Sequence, residues 1–303
     1  MSSAVRKWRT DRPLDIVRTV RALRHGGGDP TWRWVAGTFF RACLTPDGPA
    51  TVGLWLTGDE VSAQAWGKGA DWLLDSAPGL LGEQDDWSDL DVSAHPVLAD
   101  TWRLYPGVRL CRSGLVLDSL VPACLEQRVT GEEAFRAWRQ LVRGYGEPAP
   151  GPADLGLWVP PGPAELLAVP SWDWHRYGVD PRRYKAIRAA ATVADRLEEC
   201  VTFGDDAAML RLCAVPGIGE WTAAETTVRA LGHPDAVSVG DYHLKNLVGY
   251  ALTGEPRTEE PRMLQLLEPW RGQRARVIRL IEVSGRTPPR YGPRFNYNDI
   301  RAI

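Results

Sequence analysis

Asp241 stands at the head of an apolar-periodic run (Tyr242, Leu244, Leu247, Val248, Ala251) that reads as a helix. An aspartate there is by default an N-cap, accepting bonds from the free N–H groups of the first turn. The same carboxylate can do chemistry, because a helix N-terminus favours negative charge. A fixed carboxylate can stabilise a developing positive charge and orient an attacking water. Trp221 and Trp270 carry flat indole faces on which a planar ligand could stack, with a cation–π gain if it is positively charged. With 14 tryptophans in the chain, both can equally be core residues. Glu225 lies one helical turn after Trp221, on the same face. There it either draws cations towards a pocket or pairs with Arg229, one turn further on.

The element that must position these groups is Leu212–Leu247, a helix, a tight turn, a second helix, a loop and a third helix. Asp205 or Asp206 can cap a first helix running through Cys213. Pro216-Gly217-Ile218-Gly219 then turns the chain, the glycines admitting backbone angles closed to other residues. The second helix spans about Glu220 to Leu231, with Gly232 as a left-handed cap and Pro234 forbidding continuation. Unobstructed N–H groups at Gly217 and Gly219, beside the positive end of that helix, make an anion site suited to one backbone phosphate. His243 and Lys245, just after Asp241, add two more groups able to meet a phosphate, although a histidine there can equally be plain helix surface.

The hairpin PGIGxWTA, followed after a Gly/Pro/Asp-containing loop by Asp241, resembles the helix-hairpin-helix DNA glycosylase superfamily, closest to its 3-methyladenine DNA glycosylase II (AlkA-type) branch. The PLD…LRHGGGDPTW and HPVL…YPGVRL segments resemble that branch as well. The resemblance implies an α+β protein, an N-terminal antiparallel sheet domain plus a mostly helical core. It makes Asp241 the catalytic residue and Trp221 and Trp270 pocket tryptophans. Leu125–Thr130 resembles the loop that fills the hole left by a flipped base, with Gln127 and Arg128 at the DNA. Arg128 stands in place of an apolar wedge and can intercalate as a flat guanidinium. Glu225 stands where the branch has a pocket tyrosine, and His243 matches the D-x-H of the wider superfamily.

Bifunctional members carry a Schiff-base lysine at the position of Trp221, and indole forms no imine, so the resemblance implies a monofunctional hydrolase. No four cysteines stand together to hold an iron–sulfur cluster, and no organic cofactor is implied. A monovalent cation on the hairpin carbonyls is implied by the resemblance alone. The implied substrate is double-stranded DNA carrying alkylated, cationic purines such as 3-methyladenine and 7-methylguanine. Two alternatives stay open: a non-catalytic helix-hairpin-helix DNA-binding protein, and a glycosylase for neutral damaged bases.

A chain of 303 residues has room for two or three domains. The punctuation suggests residues 1–90 as an N-terminal α/β sheet domain. Residues 91–114 with 234–303 then form a helical subdomain carrying Asp241, and 115–233 a helical subdomain with the hairpin. Scattered cysteines, five in number, suggest a reduced cytosolic protein, and no signal peptide or membrane span is legible. We expect a monomer. A net charge of −2 argues against a protein that coats nucleic acid, so DNA binding needs a local basic surface. Arg271, Arg274, Arg276, Arg279, Arg286, Arg290, Arg294 and Arg301 offer one at the C-terminal end.

Overall fold

The computed structural model describes residues 3–289. Arg290, Arg294 and Arg301 therefore lie outside the described residues. Strand β1 (Ser3–Arg9) is followed by a short helix α1 (Ile16–Val20), which Asp15 caps by accepting the Arg18 N–H. Alternating apolar runs then give β2 (Trp32–Val35), β3 (Thr38–Thr45), β4 (Gly48–Thr57) and β5 (Glu60–Gly67). The sheet order is β1-β5-β4-β3-β2, every pair antiparallel, with Val52 opposite both Arg41 and Ala65. Helix α2 (Ala70–Leu80) covers one face, burying Leu73 and Leu74 with Phe39, Val52 and Leu54.

Helix α3 (Pro96–Leu104) leads to α4 (Val116–Glu126) and α5 (Gly131–Tyr145). A small ribbon, β6 (Glu147–Pro148) with β7 (Trp158–Val159), lies on the other face of the sheet, packing Leu157 and Val159 on Ala42. The chain continues through α6 (Pro163–Ala168), α7 (Ser171–Arg176), α8 (Pro181–Thr192) and α9 (Ala194–Glu198). The hairpin is α10 (Asp205–Cys213) and α11 (Glu220–Ala230), followed by α12 (Leu244–Thr253), α13 (Glu260–Leu267) and α14 (Arg274–Ser284). This is the α+β architecture expected from sequence. Among the described residues no helix is long and apolar enough to cross a membrane.

Besides the small cluster under the ribbon, three larger ones hold the described residues. One lies under the sheet, a second joins α4, α5, α8 and the hairpin, and a third joins α3 with α12–α14. Trp87 and Leu90, placed in the first domain from sequence, pack into the third cluster, while Cys111 and Leu115 pack under the sheet. Helix α4 is the buried axis of the second cluster, and its N-terminus departs from expectation. Asp118 does not cap it but lies inside its first turn, facing buried Arg41. The helix's first N–H groups go instead to Glu198, whose carboxylate accepts from Val116 and Leu117, both at 2.8 Å. Burial pushes the Glu198 carboxyl above its usual range, against the pull of those two bonds. Thr130 and Glu133 form the expected capping box at α5.

The N-terminal domain docks through the HGGGDPT segment. Buried Asp29 accepts from the His25 N–H (2.7 Å), the Thr31 N–H (2.9 Å) and the Trp138 indole of α5 (3.2 Å). A carboxylate so fully satisfied costs far less to bury than a free one.

Candidate active site

The hairpin turn is built from the residues that sequence assigned to it. Gly217 has φ +89°, and a Cβ on it would lie 2.7 Å from the Ala186 Cβ, so only glycine fits. Gly219 is different: φ is −100° and a Cβ there would meet nothing within 4 Å. Neither backbone N–H donates to any group among the described residues, and both glycines are exposed. The turn thus presents donors at the positive end of α11. Neither Asp205 nor Asp206 caps α10; Gly204 holds that position and both aspartates lie in the first turn, where their charge still complements the helix dipole.

Helix α12 starts at Leu244, later than its periodicity suggested, and Asp241 caps it from outside. Its Oδ1 accepts the N–H groups of His243 (2.7 Å) and Leu244 (2.8 Å). Its Oδ2 accepts the indole N–H of Trp221 at 3.0 Å, across 20 residues of chain. Capping and placement beside the hairpin are therefore both present in one half-buried carboxylate. The loop in front of it is pinned as well. Gly240, at φ +90°, donates its N–H to Glu260, and the Asp241 N–H goes to the Ser238 carbonyl at 3.1 Å.

Of the two expectations for Glu225, the structure shows the pair with Arg229, and both of its oxygens are engaged within the protein. One oxygen meets Arg229 at 2.6 Å and the other accepts the Ser238 hydroxyl. Nor is this a surface pair: both side chains are about one-fifth exposed, and Arg229 also donates to the Ala22 carbonyl at 2.9 Å. Burial works against the Arg229 charge, but Glu225 and Glu126 outweigh it and hold the guanidinium above its usual range. Glu126 responds in turn. Burial raises its carboxyl, while the His25 hydrogen bond and Arg229 prevail and hold it low.

Trp270 is buried and engaged within the protein. It is 7% exposed, packs in the third cluster with Leu267 and Val277, and donates its indole N–H to the Asp91 carbonyl at 2.9 Å. Its packing is that of a core residue, not of a free pocket wall. The Gln127 amide nitrogen donates within the protein, to the Gly217 carbonyl (3.0 Å) and the Thr222 hydroxyl (2.9 Å). It ties the α4–α5 loop to the hairpin. Arg128, next to it, is exposed, has no partner among the described residues and sits at φ +57°, a left-handed conformation few non-glycine residues adopt. The tied glutamine and the left-handed arginine fix where that guanidinium leaves the surface.

His243 is exposed, its ring packed edge-on against Tyr242 with centroids 5.0 Å apart. Tyr242 is itself 72% exposed beside Asp241, a placement the sequence reading passed over because it counted the tyrosine in the apolar stripe. Lys245 is bridged to Glu259 at 2.9 Å. Of the C-terminal arginines expected to form a basic surface, four form ion pairs within the protein, and Arg286 is exposed. Arg271 pairs with Glu268, Arg274 with Asp235, buried Arg276 with Asp85 and Arg279 with Glu282. Among the described residues no group of three or more His, Cys, Asp or Glu is placed to hold a metal.

Comparison with known proteins fits this geometry. A 3-methyladenine DNA-glycosylase from Archaeoglobus fulgidus superimposes with a TM-score of 0.76 at 16% identity, over 91% of this chain and 97% of that one. An 8-oxoguanine glycosylase/lyase from Clostridium acetobutylicum, bound to duplex DNA with cytosine opposite 8-oxoguanine, gives 0.71 at 12% identity, over 94% and 98%. The chain thus shares the fold of these two proteins. In sequence, a probable bifunctional transcriptional activator/DNA repair enzyme AlkA of Mycobacterium tuberculosis is 31% identical over 143 residues, 46% of this chain. That stretch is 28% of the relative, so the chain spans little more than a quarter of its length. The AlkA-type resemblance read from the motifs agrees with both comparisons. No family model matches.

Proposed function

We propose that this chain is a monofunctional DNA N-glycosylase, a cytosolic monomer that removes alkylated, cationic purines such as 3-methyladenine and 7-methylguanine from double-stranded DNA. The observation that carries this reading is the Trp221 indole held 3.0 Å from the Asp241 carboxylate. A flat aromatic and a fixed anion side by side are what a flipped nucleotide needs, one beside the base and one beside the sugar. As the bond from the base nitrogen to the sugar carbon breaks, its electron pair leaves with the base. Positive charge then grows on the sugar, where Asp241 stabilises it and aligns water for attack. The exposed turn N–H groups at Gly217 and Gly219 take a backbone phosphate, and Arg128 enters the vacated stack.

A monovalent cation at the turn, implied by the resemblance, would have neutral backbone carbonyls as donors. Val215 and Gly217 already accept one bond each, from Ile218 and Gln127, and each keeps a second lone pair. Such a donor set suits a monovalent ion.

The test is release of free bases from methylated duplex DNA, identified by mass. We expect 3-methyladenine and 7-methylguanine; release of hypoxanthine alone would favour the neutral-base reading, for which the engaged Glu225 leaves room. A second expectation concerns lyase chemistry. Trp221 offers no amine, and Lys245 is committed to Glu259. Borohydride added during excision should therefore trap no covalent protein–DNA adduct, and strands should break only after alkali or heat. Efficient trapping would show that another amine attacks the sugar.

A further inference from the structure

The loop 231–243 that delivers Asp241 has little regular structure of its own. It is held from α11 at two places. Trp221 reaches the Asp241 carboxylate directly, and Glu225, one turn later on the same helix face, accepts the Ser238 hydroxyl. Ser238 is the residue whose carbonyl receives the Asp241 N–H at 3.1 Å, so the second hold acts three residues upstream of the first. Glu225 is itself fixed by Arg229, which donates to the Glu225 carbonyl at 2.8 Å as well as to its carboxylate, and which is anchored on Ala22 of the N-terminal domain. A single rigid helix thus grips both ends of a short turn.

We infer that Glu225 and Ser238 are positioning residues for Asp241: the Arg229–Glu225–Ser238 chain sets where the carboxylate stands beside Trp221, without touching the nucleotide. This inference rests on the catalytic role proposed for Asp241. The physical reason for such a device lies in Gly240. Glycine adopts φ +90° as readily as its other conformations, so the turn just before Asp241 is selected by its ties, the Gly240 N–H to Glu260 among them. A turn of that kind keeps one geometry only if its flanks are tied, and displacement of a reacting group by about 1 Å commonly costs on the order of 100-fold in rate.

Glu225→Ala strands the Arg229 charge and can unfold the chain, so Ser238→Ala, which removes only the last link, decides the matter. Two quantities are read on Ser238→Ala and wild type. One is the single-turnover rate of base release, with the dissociation constant for undamaged duplex as control. The other is solvent exchange of the Trp221 indole N–H, its resonance assigned by its loss in Trp221→Phe. We expect the rate to fall roughly 10- to 100-fold. Duplex affinity should stay within about twofold, and the indole proton should exchange faster, its bond to Asp241 no longer held. A wild-type rate in Ser238→Ala overturns the inference, and so does a rate loss matched by an equal loss of affinity. If the wild-type protein itself releases no base, the proposed function fails and the indole exchange decides alone: faster exchange upholds the tie, unchanged exchange overturns it.

Discussion

Asp241→Asn is expected to slow base release by about 100- to 1000-fold while leaving the affinity for undamaged duplex within about threefold. The asymmetry follows from when the charge exists. The sugar is neutral in the bound substrate and cationic only near the transition state, so the loss falls on the chemical step. Asparagine keeps one carbonyl oxygen to accept from His243 and Leu244, the two N–H groups at the start of α12. Its NH2 group then faces the Trp221 indole N–H, donor against donor, where the carboxylate had accepted at 3.0 Å. Asp241→Ala serves as the companion, since it removes the cap too and should cost about 1 kcal/mol of stability, seen in thermal unfolding. Single-turnover kinetics on methylated DNA check the first variant. If asparagine excises at the wild-type rate, Asp241 is a helix cap and nothing more.

That the helix-cap bonds of Asp241 could be anticipated from sequence, and the Ser238 partner of Glu225 could not, follows from the range of the interactions involved. A helix cap and a Pro-Gly turn are local: their partners lie within four residues and the spacing itself is the signal. The i,i+4 rule likewise found the Glu225–Arg229 pair. It could not find Ser238, 13 residues away through an irregular loop, nor tell that Arg229 reaches Ala22, 207 residues away. The same reason explains the N-terminus of α4. Its periodicity marks the helix, but its cap is Glu198, brought from 82 residues away by packing, while Asp118 turns to Arg41. The pocket role of Trp270 rests on a motif match alone, and nothing in the PWR triplet signals that its N–H reaches the Asp91 carbonyl.

Charge shows the same limit. A run of arginines in a sequence looks like a surface, yet Arg274 and Arg276 serve to fasten α14 to Asp235 and Asp85. Beside Asp241 and the hairpin turn, the groups open to DNA include the turn N–H groups, unpaired Arg128, and exposed Tyr242 and His243. If the chain binds duplex as proposed, the slope of its salt dependence should count the phosphates that such groups neutralise.

The two hairpin glycines should separate folding from binding. Gly217→Ala puts a methyl 2.7 Å from the Ala186 Cβ and forces φ +89° on a residue that resists it. The backbone penalty is about 1–2 kcal/mol and the crowding of a packed contact adds about 1–3 kcal/mol. We expect a clear drop in melting temperature, because α8 and the hairpin share one core cluster. Gly219 has an ordinary φ and open space around it, so Gly219→Leu should leave the melting temperature nearly unchanged. Its side chain would instead occupy the room through which a phosphate approaches the turn. Loss of a charge-assisted hydrogen bond is worth about 1.5–3 kcal/mol, roughly 10- to 100-fold in affinity, and it should weaken binding to damaged and undamaged duplex alike. Thermal unfolding and duplex binding on both variants provide the measurement. If Gly219→Leu lost affinity for lesion-bearing DNA only, the turn would belong to the base pocket rather than to the backbone contact. If it lost stability instead, the glycine would be serving the fold and the open space above it would have no ligand to explain it.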